Sequence, residues 1–159
     1  MGPAAFDTHL FRHVMGHYPT GVAVITTISE GQPVGMVANS LVSVSLSPPL
    51  VSFCPAKSSA TWAQILRAGH FCVNFLHRDQ AALSGRFATR GIDRFKGVEW
   101  APAPGGAPQL RGSVAWIDCA VHGHLDAGDH VIALGRVRDL DVVSGATPLV
   151  FYRGRYRLP

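Results

Sequence analysis

Gly35-Met36-Val37-Ala38-Asn39-Ser40-Leu41-Val42-Ser43-Val44-Ser45-Leu46-Ser47-Pro48-Pro49-Leu50-Val51 says most about the architecture of this 159-residue chain. From Val42 onward, Ser43, Ser45 and Ser47 alternate with Val42, Val44 and Leu46. Successive side chains of a strand point to opposite faces, so this pattern predicts a strand with one hydroxylated and one apolar face. The spacing predicts one long strand region from Val34 to Leu46, broken by Pro48-Pro49, then a second strand from Leu50 to Cys54 that Pro55 ends.

Upstream, Val22 to Ile28 reads as a strand and Glu30-Gly31-Gln32 as a turn. Ahead of them, Ala4 to His17 places Phe6, Leu10, Phe11, Val14 and Met15 on one helical face, and Pro19-Thr20-Gly21 stops that helix. Downstream, Ser58-Ser59-Ala60-Thr61 opens a helix whose apolar face is Trp62, Ile65 and Leu66. His70 to Leu76 is a strand, Arg78 to Ala88 a helix, and the Pro- and Gly-rich stretch from Ala101 to Pro108 a surface loop. Ser113 to Leu125, His130 to Val142 and Leu149 to Arg157 are three further strands. Many strands, few helices and no regular alternation between them predict a mainly β fold, an antiparallel barrel with a few short helices. No internal repeat or boundary divides the chain, so residues 1–159 are expected to form one domain, with its core at about 11–157.

Hydrophobic residues make up 47% of the chain and charged ones 15%, too little charge to cover a monomer's surface well. That implies apolar surface buried against a partner, most simply a second copy in a homodimer. The net charge of +4 favours anionic partners. The basic residues do not form a dense run: Arg86, Arg90, Arg94 and Lys96 are interleaved with Asp93, and Arg153, Arg155 and Arg157 alternate as on one strand face. Cys54, Cys72 and Cys119 sit in apolar runs and read as free thiols. The opening Met1-Gly2-Pro3-Ala4-Ala5-Phe6 has no basic region followed by an apolar stretch, and no run is long enough to span a bilayer. A cytoplasmic location with no membrane partner is expected.

Two motifs point to chemistry. At Ala38-Asn39-Ser40 the strand pattern gives way to small and amide-bearing residues, which let a planar ring approach the backbone and bond its polar edge. In Cys54-Pro55-Ala56-Lys57-Ser58-Ser59-Ala60-Thr61 a cation and several hydroxyls meet a helix N-terminus, where a phosphate is favoured; a plain helix cap by Ser58 or Ser59 is the alternative. No Gly-x-Gly-x-x-Gly follows a strand, which argues against a Rossmann dinucleotide site.

Together with Pro19-Thr20-Gly21-Val22-Ala23-Val24-Ile25-Thr26, Gly128-Asp129-His130-Val131-Ile132 and Pro148-Leu149-Val150-Phe151-Tyr152-Arg153-Gly154-Arg155-Tyr156, the stretch from Gly35 to Val51 resembles the flavin reductase family with the FMN-binding split-barrel fold. These are the reductase components of two-component flavin-dependent monooxygenases. The resemblance implies a Greek-key split barrel and a homodimer that reduces FMN or FAD with NADH or NADPH and supplies reduced flavin to a monooxygenase component. On that model Val37, Ala38, Asn39 and Ser40 line the isoalloxazine ring, and Lys57, Ser58, Ser59 and Thr61 approach the ribityl chain and phosphate. Ser45, Cys54 and Pro55 join the cofactor contacts. Arg86 and Phe87 border the flavin, Arg153 or Tyr156 closes the pocket, and His130 positions the nicotinamide. Val37 stands where many members carry threonine, and Leu41 replaces a common phenylalanine.

Three other readings compete with this one. His122-Gly123-His124 with Asp129 and Cys119 could serve a metal-dependent cupin-like barrel, although the rest of that motif is missing. Phe151, Tyr152 and Tyr156 among Arg153, Arg155 and Arg157 faintly resemble a nucleic-acid platform, but the other motifs gain nothing from it, so no nucleic acid is expected. Related split barrels bind flavin for other chemistry, including pyridoxamine-phosphate oxidation.

Overall fold

The structure, a computed structural model, describes residues 5–157. Ala4, where the first predicted helix begins, and the opening residues that bear on a leader lie outside the described residues. That helix is α1 (Thr8–Met15), capped by the Asp7 carboxylate, which accepts from the backbone of His9 and Leu10. The strands β1 (Thr20–Gly21), β2 (Ala23–Ser29) and β3 (Gln32–Ala38) follow. Glu30 and Gly31 both take positive φ between β2 and β3, the geometry of a two-residue hairpin turn.

The predicted strand from Val34 to Leu46 is two strands. β3 ends at Ala38, and β4 (Val42–Leu46) begins after Asn39-Ser40-Leu41. Next come β5 (Pro49–Phe53), α2 (Ala60–Ala68), β6 (His70–Phe75) and α3 (Ala81–Ala88). The predicted loop from Ala101 to Pro108 has strands at its ends, β7 (Trp100–Pro102) and β8 (Pro108–Leu110), paired as a small hairpin. β9 (Ala115–Ala127) and β10 (His130–Val142) form the longest ladder. The C-terminal strand is also two, β11 (Val150–Tyr152) and β12 (Arg155–Arg157). Arg153 and Gly154 form the turn between them, so Arg153 does not share a strand face with Arg155 and Arg157.

Seven strands make one antiparallel sheet in the order β3-β2-β6-β9-β10-β5-β4. The expected barrel is not closed by hydrogen bonds: β3 and β4 are the two edges, and no ladder joins them among the described residues. Three residues nevertheless carry the chain from one edge to the other. A connection so short spans roughly 10–14 Å at full extension, so the sheet must curl until its edges lie close.

The curl covers the inner face of β2, and α3 with the segments around it covers the outer face. Ala23 and Ile25 point into a core with Phe53, Phe71, Val73, Val131 and Ala133, closed at one end by Trp62 and Ile65 of α2. Val22 and Val24 point outward into a second core with Phe87, Phe95, Leu110 and Leu149. Leu66, placed on the inner face of α2 by its spacing, is 40% exposed instead. Asn74 ties the hairpin to the sheet, donating to the Val24 and Pro108 carbonyls and accepting from the Leu110 amide at 2.8 Å.

The apolar faces of α1 and β4 remain outside both cores. Leu10, Phe11, Val14 and Met15 are each more than half exposed, and Leu46 is 91% exposed. The apolar side of the serine-alternating stretch is therefore not a core face. A bulge between Ser43 and Ser45 further breaks its strict alternation.

Candidate functional site

Where the chain crosses between sheet edges, its backbone leaves the ladder and needs other partners. Ser40 Oγ accepts from the Cys54 amide at 2.9 Å, tying the crossover to the end of β5. Beside it lies a cavity of about 1100 Å³. Ala38, Asn39, Ser40 and Leu41 form one wall, Thr20 to Ala23 another, and Leu149 and Phe151 a third. Phe11 and Met15 reach in from α1, and His130 stands at the opening of β10. A mostly apolar hollow with a few polar groups suits a flat organic ring.

His130 Nδ1 lies 2.7 Å from Asp129 Oδ1. The hydrogen bond and charge of the imidazole hold the Asp129 carboxyl below its usual range. With Nδ1 as the donor, Nε2 is left for a ligand. The Asp129 carbonyl in turn accepts from the Lys57 amide at 3.0 Å, so this turn and the segment before α2 are held together. The simple structural role for His130, a bond to its neighbour, is thus present alongside a place on the cavity wall.

The predicted phosphate-facing residues form a separate group. Ser59 is the N-cap of α2, its Oγ accepting from the Trp62 amide at 3.1 Å. Ser58 is exposed beside it. Lys57 is not a free cation: its Nζ pairs with Asp126 at 3.2 Å on the surface. Thr61 Oγ1 accepts from Arg94, whose guanidinium also donates to the Gly35 and Thr89 carbonyls, each at 2.8 Å. Burial and the neighbouring Arg90 lower the pKa of Arg94, the cost of holding a cation against a strand edge. Arg86 is half-buried on α3, and its Nε is buried with no partner. An orphaned guanidinium nitrogen is costly and fits a missing anionic ligand.

Several predicted contacts fall elsewhere. Phe87 is 1% exposed, packs edge-to-face on Phe95 at 5.0 Å and does not line the cavity. Val37 leans into the same outer core and does not line the cavity. Tyr156 OH bonds Ser84 Oγ at 2.7 Å and its ring leans on Phe151, one layer behind the cavity wall. Ser45 is half-buried on β4, opposite Leu50, away from the cavity. Cys54 is exposed, with its amide on Ser40. Pro55 is buried, and its carbonyl accepts from Val131 at 3.0 Å.

Arg94 was missed because Asp93 and Arg90 beside it look like a solvated mixed-charge face. The wall formed by Thr20, Gly21 and Phe151 was missed too, although its signal was present: the first and last motif blocks pair as β1 and β11, Thr20 opposite Phe151. The candidate metal ligands are scattered. Cys119 is buried, with its thiol pushed up to about 12 by desolvation first and Asp118 second, and His124 packs on Trp62. Among the described residues no group of three or more His, Cys, Asp or Glu side chains converges.

The flavin reductase like domain model matches residues 15–158. The chain is 48% identical over 152 residues to the reductase subunit HsaB of a flavin-dependent monooxygenase from Rhodococcus jostii, covering 96% of this chain and 78% of that one. The crystal structure of a nitrilotriacetate monooxygenase component B homolog from Mycobacterium thermoresistibile superposes with a TM-score of 0.94 at 46% identity, over 99% of this chain and 89% of that one. An NADH:FAD oxidoreductase from Streptomyces globisporus, solved with NAD and FAD fragments, gives a TM-score of 0.89 at 38% identity, over 95% and 92% of the two chains. The chain belongs to the flavin reductase like domain family.

Proposed function

We propose that the chain is an NAD(P)H:flavin oxidoreductase that reduces FMN or FAD and hands the reduced flavin to a separate monooxygenase component. The observation that carries this is the convergence, in a member of this family, of Ala38, Asn39, Ser40 and His130 on one small-walled, mostly apolar hollow. When both are bound, the dihydronicotinamide supplies a hydride to the flavin ring, chemistry the two cofactors perform themselves. The chain's task is to stack and align them. Ala38 keeps the wall low enough for a ring to lie against backbone, and Asn39 and Ser40 offer hydrogen bonds to its polar edge. Thr61, Arg86 and Arg94, with the α2 N-terminus, hold the phosphate. His130, fixed through Asp129, presents Nε2 to the nicotinamide carboxamide.

In this reading the curled sheet is a split Greek-key barrel whose gap between β3 and β4 is the flavin slot. The exposed apolar faces of α1 and β4 are covered by a second copy, making a homodimer. Three cysteines without a disulfide fit a cytoplasmic protein. Flavin is held loosely, because the reduced product must leave to serve its partner.

The test is anaerobic oxidation of NADH or NADPH with FMN, FAD and riboflavin added in turn, with the mass in solution measured alongside. Flavin-dependent turnover by a dimer is expected. Pure protein that neither binds a flavin nor accelerates its bleaching would overturn the proposal.

A further inference from the structure

His130 opens β10 directly after a tight turn, Gly128-Asp129, in which Gly128 takes φ 65. The tip of a long hairpin frays unless something outside the ladder holds it. Here the segment between β5 and α2 supplies the hold. The Val131 amide donates to the Pro55 carbonyl and the Lys57 amide to the Asp129 carbonyl, each at 3.0 Å, and Ala56 bridges His130 in antiparallel register. These main-chain bonds secure the β10 side of the tip.

The β9 side is secured by side chains. Trp62 of α2 meets the His124 ring edge-to-face at 5.7 Å. Asp126, two residues further and so on the same face of β9, accepts from Lys57 Nζ at 3.2 Å. Lys57 thus grips both sides of the turn, its amide on Asp129 and its ammonium on Asp126.

From this grip to the cavity is a short path. Asp126 stands opposite Val131 in the ladder, the residue after His130, and Asp129 Oδ1 fixes the imidazole through Nδ1 at 2.7 Å. A tip that twists therefore carries the ring with it. Lys57 itself does not line the cavity, whereas His130 does. We propose that Lys57 is a positioning residue: by pairing with Asp126 it holds the Gly128-Asp129 turn so that His130 meets the nicotinamide. This rests on the flavin reductase reading and on His130 as the group that faces the reductant. It differs from a role as a phosphate ligand, because an ammonium engaged by a carboxylate is already neutralised.

The variants are Lys57→Met, which keeps the apolar stem and drops the charge, Lys57→Arg, which keeps the charge, and Asp126→Asn. The Michaelis constant for NADH or NADPH, whichever the parent oxidises faster, is measured at saturating flavin, and dissociation constants are measured for riboflavin and FMN. The two side chains are 44% and 76% exposed, so the pair contributes only modestly. Lys57→Met and Asp126→Asn should each raise the Michaelis constant about two- to fivefold, with kcat and both flavin constants within about twofold of the parent. Lys57→Arg should match the parent. In a His130→Ala background Lys57→Met should add nothing, a result that general loosening of the fold would not give.

A phosphate contact predicts a different pattern: Lys57→Met would weaken FMN but not riboflavin, and Asp126→Asn, by freeing the ammonium, would tighten FMN. Either outcome overturns the positioning role. So does an unmoved Michaelis constant, or an undiminished effect of Lys57→Met without the His130 ring, in a parent that reduces flavin; both leave the flavin reductase reading standing. A parent that reduces no flavin with NADH or NADPH overturns the two together.

Discussion

Gly35→Ala tests how the fold supports the proposed phosphate site. Gly35 lies on β3 against α3, where an added Cβ would come 2.8 Å from Phe87 Cε1, 3.2 Å from Phe87 Cδ1 and 3.1 Å from the Ile25 carbonyl oxygen. Comfortable carbon contacts lie near 3.5–4.0 Å, so the ring or the strand must yield by roughly 0.7–1.2 Å. Phe87 is 1% exposed and wedged against Phe95, which leaves the ring little room. Overpacking of this kind costs about 1–3 kcal/mol, and the stiffer unfolded chain of the alanine variant returns about 0.4–1 kcal/mol. A net loss of about 1–2 kcal/mol corresponds to a fall in Tm of roughly 2–8 °C for a chain of this size. Because the Gly35 carbonyl orients Arg94, binding of FMN should weaken relative to riboflavin, which lacks the phosphate. Thermal unfolding and fluorescence titration with both flavins provide the readouts. Shrinking the neighbour should help: in the Gly35→Ala, Phe87→Leu double variant the losses should sum to less than the two single effects. An unchanged or raised Tm, or additive losses in the double variant, would refute this account of the β3–α3 contact.

Other outcomes follow from the same geometry. His130→Ala should raise the Michaelis constant for NADH about three- to tenfold, the effect of one lost hydrogen bond, while leaving flavin dissociation within about twofold; unchanged kinetics would remove His130 from the nicotinamide site. Ser59→Ala deletes the α2 cap and should cost about 0.5–2 kcal/mol, read as a lower urea midpoint at constant m; an unmoved midpoint would show that the cap contributes nothing. With a thiol-specific disulfide reagent near pH 8, the folded protein should react rapidly at Cys54 alone. Burial pushes both Cys72 and Cys119 up to about 12, so these should react only after unfolding, and a second fast thiol would contradict their placement.

Most strands were legible because alternation or a continuous apolar run with turn residues at its ends is a strong local signal. Val22 to Ile28 and His70 to Leu76 read this way, α2 begins at the predicted serine-rich start, and α3 lies within the span from Arg78 to Ala88. The break at Asn39-Ser40-Leu41 was legible as chemistry but not as topology. Alternation resumes at Val42 with no intervening Gly or Pro, and nothing local reveals that the next strand lies at the far edge of the sheet. Leu66 and the Val42-Val44-Leu46 face were misassigned for one reason: periodicity identifies an apolar face but not what covers it. Ala38, Asn39, Ser40 and His130 line one hollow. Phe87 and Tyr156 stand behind it because adjacency along the chain to Arg86 or Arg155 does not determine depth.

The passage from β3 to β4 has a consequence for how the protein matures. The two borders of the slot are neighbours along the chain, yet five strands must zip together between them before they meet. On the reading proposed above, a partly assembled chain lacks this slot, and flavin binding reports on its completion.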